Sequence, residues 1–155
     1  MNQGEVHDRR EISAEAAAAY RARREALHTA VIELEHELEL LEAQPQPDVR
    51  RLRAALDQLL TTLREHIAQA DAPDGLLADI IETAPWFAPR AEQLRSEHGE
   101  LLERAQQLID EAAANEDAAS VLESARELSQ RISEHRHEGT ALLLDAYMLD
   151  VPAAD

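Results

Sequence analysis

Apolar residues recur along this chain at alternating three- and four-residue steps, the spacing that lines one face of an α-helix. Tyr20, Leu27, Val31, Leu34, Leu38 and Leu41 form the first stripe, interrupted by Arg24, and predict a helix from Ser13, as its N-cap, to Ala43. Gln44-Pro45-Gln46-Pro47 ends it, since proline lacks the backbone N–H that a helix needs. Leu52, Leu56, Leu59, Leu63, His66 and Ala70 predict a second helix from Asp48 to Ala70, closed by Asp71-Ala72-Pro73-Asp74-Gly75. Leu76 to Thr83 reads as a short helix. Trp86 and Phe87, in the Pro85–Pro89 segment that follows, are expected to plug an open end of the core. Ligand stacking on Trp86 is the alternative.

Ala91, Leu94, His98, Leu101, Ala105, Leu108 and Ala112 mark a third long helix, Pro89 to Ala114, ended by Asn115 as a cap. The fourth, Ala118 to Leu149, carries Val121, Ala125, Leu128, Ile132, His135, Gly139, Leu142 and Ala146. Long amphipathic helices joined by short turns predict an all-α fold: an antiparallel up-down-up-down four-helix bundle. It spans residues 13–150, with a short helix or loop between helices 2 and 3. Residues 1–12 and 151–155 read as flexible ends.

Composition supports helices and narrows the chemistry. The chain holds 29 alanines but only four aromatic residues and four glycines, too few for a sheet protein of this size. Without cysteine there is no disulfide, no thiolate metal ligand and no thiol nucleophile. All fifteen basic residues are arginine, so Schiff-base lysine chemistry is excluded as well. The formal net charge of −17 repels phosphate backbones and anionic membranes, which argues against nucleic-acid and lipid partners. It favours a cation or a basic partner, with a solvated surface as the plainer reading, and no protein partner is indicated. No apolar run is long enough for a transmembrane span, and the polar start is unlike a signal peptide, so a cytoplasmic location is expected.

The histidines carry the candidate chemistry. His66, His98 and His135 occupy stripe positions where their neighbours are Leu, Ile or Ala, and His28 lies one residue off the first stripe. His28 lies 15 residues before Ala43 and His66 18 after Asp48, while His98 lies 16 before Ala114 and His135 17 after Ala118. At about 1.5 Å per residue, the histidines of each hairpin stand at similar heights. Three explanations stay open: metal ligands, a hydrated polar network, or unrelated core histidines each bonded to backbone or carboxylate. His7, His36 and His137 lie off the stripes and read as solvated.

Carboxylates are sparse around these rings. Asp71 turns inward only if the Pro73 turn swings it there, and Glu138 lies about 60° away from the direction of His135. Glu65, Glu97 and Glu134 each precede a stripe histidine. They are better placed to hold a ring on a facing helix than to bridge metals, with a solvated face as the alternative. No nucleophile–base pair, phosphate loop or HExxH motif is present, and nothing in the core suggests a porphyrin slot, so catalysis is left open.

The set Leu27-His28, Leu63-Arg64-Glu65-His66, Leu94 to His98, Glu134-His135 and Leu142 to Asp150 resembles the hemerythrin-like (HHE cation-binding) domains. The link Asp74 to Ile80 is similar to one found in a bacterial branch of that family. The resemblance covers about Ala26 to Asp150. It implies a non-haem diiron centre among the four helices, with O2 or a metal ion as the bound partner and oxygen or metal binding or sensing as the function. Carried over, it marks His28, His66, His98, His135 and, loosely, Asp71 as metal ligands, and Glu138 is a further candidate oxygen donor. Leu94, Leu102, Gly139 and Thr140 stand where further ligands of that family would be. The resemblance therefore implies iron, or another transition metal on an altered ligand set. The competing reading is a metal-free, degenerate bundle serving as a structural or protein-interaction module.

Overall fold

A computed structural model describes the backbone of residues 3–148 and the side chains of residues 14–146 apart from residues 16 and 17. The expected tail, residues 151–155, and the side chain of His7 lie outside the described residues. Five α-helices and no strand occur among the described residues: α1 (Gln3–Glu42), α2 (Arg53–Asp71), α3 (Leu76–Thr83), α4 (Ala88–Ala114) and α5 (Ala118–Met148). Short 3₁₀ turns at Val49–Leu52 and Pro85–Phe87 lead into α2 and α4. Helix α1 begins ten residues before Ser13, so Ser13 lies inside it and does not cap it. The added stretch is rich in Glu and Arg and free of proline, so nothing in it stops a helix.

The four long helices touch in a ring, α1 to α2, α2 to α4, α4 to α5 and α5 to α1, while α3 closes one end. At the other end the two connections are tied together. Asp48 caps the first 3₁₀ turn by accepting the Arg50 N–H at 3.1 Å. Asn115, at the C-cap of α4 with φ 50°, accepts the Val49 N–H on Oδ1 at 3.3 Å. The left-handed conformation suits asparagine, and its side chain serves the neighbouring turn. In the opposite connection a Cβ on residue 75 would stand 2.2 Å from the Gln69 carbonyl oxygen, so that turn needs glycine.

Every residue of the four predicted stripes is buried. They form two apolar clusters. The larger fills the end with the tied turns and holds ten of the twelve largest fully buried side chains, the exceptions being Leu76 and Ile80. The smaller gathers Tyr20, Ala70, Phe87, Leu94 and Leu142 beneath α3. Each fully buried leucine or isoleucine contributes about 1.5–3 kcal/mol, so the tied end carries most of the stabilising burial. Of the two aromatic residues expected to plug the core, only Phe87 does so. Trp86 is 66% exposed, because the 3₁₀ turn sends consecutive side chains in different directions and Phe87 takes the inward one. No helix among the described residues is long and apolar enough to cross a membrane.

Candidate metal centre

Between the two apolar clusters lies a polar layer built from three helices. His66 follows Leu63 of the larger cluster by one turn and precedes Ala70 of the smaller one. His98 and His135 stand likewise between Leu101 and Leu94, and between Ile132 and Leu142. The heptad-like spacing that buries leucine elsewhere therefore drives these three rings inward. All three are buried, at 1%, 3% and 3% exposure.

Their mutual geometry is tight. Ring centroids lie 5.9 Å apart for His66–His98 and His66–His135 and 4.9 Å apart for His98–His135. One nitrogen from each ring falls within 4.8 Å of the other two, so a single ion fits the group. His98 Nε2 and His135 Nε2 face each other at 3.1 Å. The far side of each of these two rings meets a carboxylate. His98 Nδ1 lies 2.9 Å from Asp71 Oδ2, and His135 Nδ1 lies 2.6 Å from Glu97 Oε2.

These pairs decide where the protons sit. An ionised carboxylate only accepts, so each Nδ1 donates and each Nε2 of a neutral ring presents a lone pair. Two lone pairs at 3.1 Å repel unless a proton or a cation lies between them. Metal–nitrogen bonds of about 2.0–2.1 Å place adjacent imidazole nitrogens roughly 3 Å apart, which matches the observed spacing. The carboxylate behind each ring is the usual support for a metal-bound histidine. His66 differs, since neither of its ring nitrogens has a hydrogen-bond partner. Burial, reinforced by the adjacent His135 and His98, pushes its pKa down to about 3, so the ring is neutral and offers a lone pair. Burial also lowers His98, against the opposing pull of Asp71.

Two of the six predicted site residues stand apart from the cluster. His28 is exposed: Leu27 takes the inward position on α1, and the next residue is turned about 100° away. The four-residue 3₁₀ entry to α2 also raises His66 beyond the height that equal residue counts suggest, since a 3₁₀ turn climbs about 2 Å per residue. Glu138 is exposed and leans on Glu97, where burial and that like charge raise its pKa. Asp71 does turn inward at the end of α2, but its carboxylate is spent on the outer edge of His98, with the Arg95 guanidinium 3.7 Å away. Of the glutamates preceding stripe histidines, Glu97 holds a ring on a facing helix, as its position predicts. Glu65 pairs instead with exposed Arg23 at 3.0 Å, and Glu134 accepts from Gln130 at 3.2 Å. His36 and His137 are exposed, as expected.

The residue α1 brings to the layer is Tyr20. Its ring centroid lies 5.3 Å from that of His66, and its hydroxyl lies against Gly139. Burial pushes the phenol up to about 12, against the lowering effect of Arg24, so it keeps its proton. Arg24 itself donates to Thr140 Oγ1, joining α1 to α5 beside the site. The sequence carries one trace of this contact, a glycine one turn after His135 in an otherwise well-formed helix. Neither a protein-family model, nor a curated protein, nor a solved structure matches this chain.

Proposed function

We propose that this chain is a hemerythrin-like four-helix bundle, running up-down-up-down, that holds one transition-metal ion on His66, His98 and His135. The observation that carries the reading is the buried three-nitrogen face itself. Two of its rings point lone pairs at each other, and the third has no partner at all. A bound cation engages a lone pair of all three rings at once, His66 included, whereas an unpaired buried polar atom costs about 1–3 kcal/mol. Imidazole donors suit iron, zinc, copper and nickel, and the family resemblance favours iron. A second ion lacks donors here, because His28 and Glu138 are exposed and Asp71 is engaged behind His98. The proposal is therefore a mononuclear centre, with a diiron one excluded from it.

A metal-free network is the second reading, and the 3.1 Å contact supports it too, since one proton shared between His98 and His135 also relieves the repulsion. That arrangement leaves His66 unserved. Elemental analysis of untagged protein separates the two. One metal per chain, retained through dialysis and removed by a chelator with a fall in Tm, is the expected result. No uptake after anaerobic loading with iron(II) and zinc(II) overturns the metal reading.

A further inference from the structure

On the outside of the bundle, α1 and α2 leave a trough between them with a volume of about 1010 Å³. It exists because the side chains there are short: Ala26 and Ala30 on α1, Ala54 and Ala55 on α2. The leucines of the same two helices point into the core and hold the pair together from beneath. On α1 the trough runs from Ala26 to Glu37, roughly three helical turns. Ile32, a large apolar side chain left 49% exposed, belongs to its lining.

The two walls differ in charge. The α1 wall carries Glu33 and Glu37 beside exposed His36, while Gln58 and Thr62 on the α2 wall are neutral and Arg51 stands at the end nearest the tied turns. Elsewhere on this surface carboxylates find arginines: Glu65 with Arg23 at 3.0 Å, Glu42 with Arg126 at 2.8 Å, and Glu100 with Arg131 at 3.1 Å. Among the described residues neither Glu33 nor Glu37 has a hydrogen-bond or ion-pair partner.

A trough of small residues between two helices is complementary to the ridge of a third. We propose that this one docks an amphipathic helix of a basic partner protein. The apolar ridge of that helix lies on the alanine floor and against Ile32, and its Lys or Arg flank pairs with Glu33 and Glu37. The net charge of −17 draws such a partner in. Arg51 suits the C-terminal end of the incoming helix, whose free carbonyls carry partial negative charge, so that helix ends toward the tied turns. The proposal is independent of the metal reading, since the trough contains none of the three buried histidines.

The test uses the full chain and a fluorescently labelled synthetic helix of about 18 residues, with alanine and leucine on one face and lysine on both flanks. Binding is read by anisotropy at about 0.15 M salt, where distant surface charges are screened. Wild type is expected to bind this helix and not its counterpart with glutamate in place of lysine. Glu33→Gln combined with Glu37→Gln should weaken binding by about tenfold. Glu103→Gln combined with Glu111→Gln removes the same charge from the exposed face of α4, diagonally across the bundle, and should change affinity less than about twofold. Ala54→Phe, at an exposed position, puts a ring in the trough and should prevent binding. A wild type that does not bind overturns the proposal, as do equal losses in the two glutamine pairs or undiminished binding by Ala54→Phe. A wild-type dimer in light scattering that Ala54→Phe dissociates also overturns it, assigning the trough to a second copy of this chain.

Discussion

The two ends of this molecule use the same helical periodicity for different ends. Near the tied turns, stripe positions are leucine, isoleucine, valine or alanine, and burial alone satisfies them. One turn further along α2, α4 and α5, the same positions carry histidine, and burial alone leaves them worse off. The protein offsets that cost for two rings with carboxylates at the rim, Asp71 and Glu97, and leaves the third ring bare. His66 is the ring of the three that no carboxylate or other hydrogen-bond partner serves, and the proposed metal reading turns on that inequality.

Breaking the histidine end should have the largest effect on metal and the least on folding. His66→Ala, His98→Ala and His135→Ala are each expected to weaken zinc(II) affinity by about 1000-fold, roughly 4 kcal/mol, in competition with a chromophoric chelator. Leu34→Ala, in the apolar end, should leave that affinity within twofold while costing about 3 kcal/mol of stability in urea unfolding. If Leu34→Ala weakens metal binding as much as His66→Ala does, the two ends are not separable.

Much of this division was legible beforehand. The stripes identified the helices, their buried faces and the three central histidines, because a 3.6-residue period converts sequence directly into direction. What the period leaves open is height along the axis and a side chain's reach. His28 stands one residue off its stripe, and equal counts from a turn match heights without turning its ring inward, where Leu27 sits instead. Trp86 and Phe87 are adjacent in a non-helical turn, where period says nothing about which ring goes in. Tyr20 belonged visibly to the first stripe, yet its nearness to His66 depends on the length of a phenol and a missing side chain at Gly139.

Acid sharpens the comparison, since only one end contains titrating groups that resist charging. With metal removed, folded His66 has its pKa lowered to about 3, against about 6.5 unfolded, so the unfolded chain binds more protons below pH 6.5. Its contribution is fully present above pH 6.5 and is lost progressively as the pH falls from there toward 3. From this ring alone, stability should drop by about 2 kcal/mol between pH 7 and pH 5, and the lowering of His98 adds in the same direction. His66→Leu should flatten this part of the profile. An apo protein equally stable at both pH values would contradict it.

The rim carboxylates come next. Glu97→Gln and Asp71→Asn keep size but add a donor, which lets the facing Nδ1 become the acceptor and moves the ring proton to Nε2, into the site. Zinc(II) affinity should fall by about 10–100-fold in each, with little change in metal-free stability. Glu65→Gln, removed from the rings by its exposed pairing with Arg23, is the matched control and should change affinity less than twofold. Equal losses in all three would mean that bulk negative charge, and not ring orientation, governs binding.

The smallest effect is expected at His28, and it tests where α1 faces. The ring is exposed, one residue round from fully buried Leu27, so His28→Ala should leave zinc(II) affinity within twofold and stability within about 0.5 kcal/mol. A substantial loss would require α1 to turn by about 100° in the loaded protein, bringing His28 inward and carrying Leu27 out of the core. That rotation would expose a large aliphatic side chain at a cost of about 1.5–3 kcal/mol, and would break the Arg24–Thr140 contact that joins α1 to α5. It would also carry Tyr20 away from His66, since Tyr20 rides on the same face of α1 as Leu27. Leu27→Ala distinguishes the cases. It costs stability with or without metal if α1 stays as described, and loses that cost in the loaded protein if the helix turns.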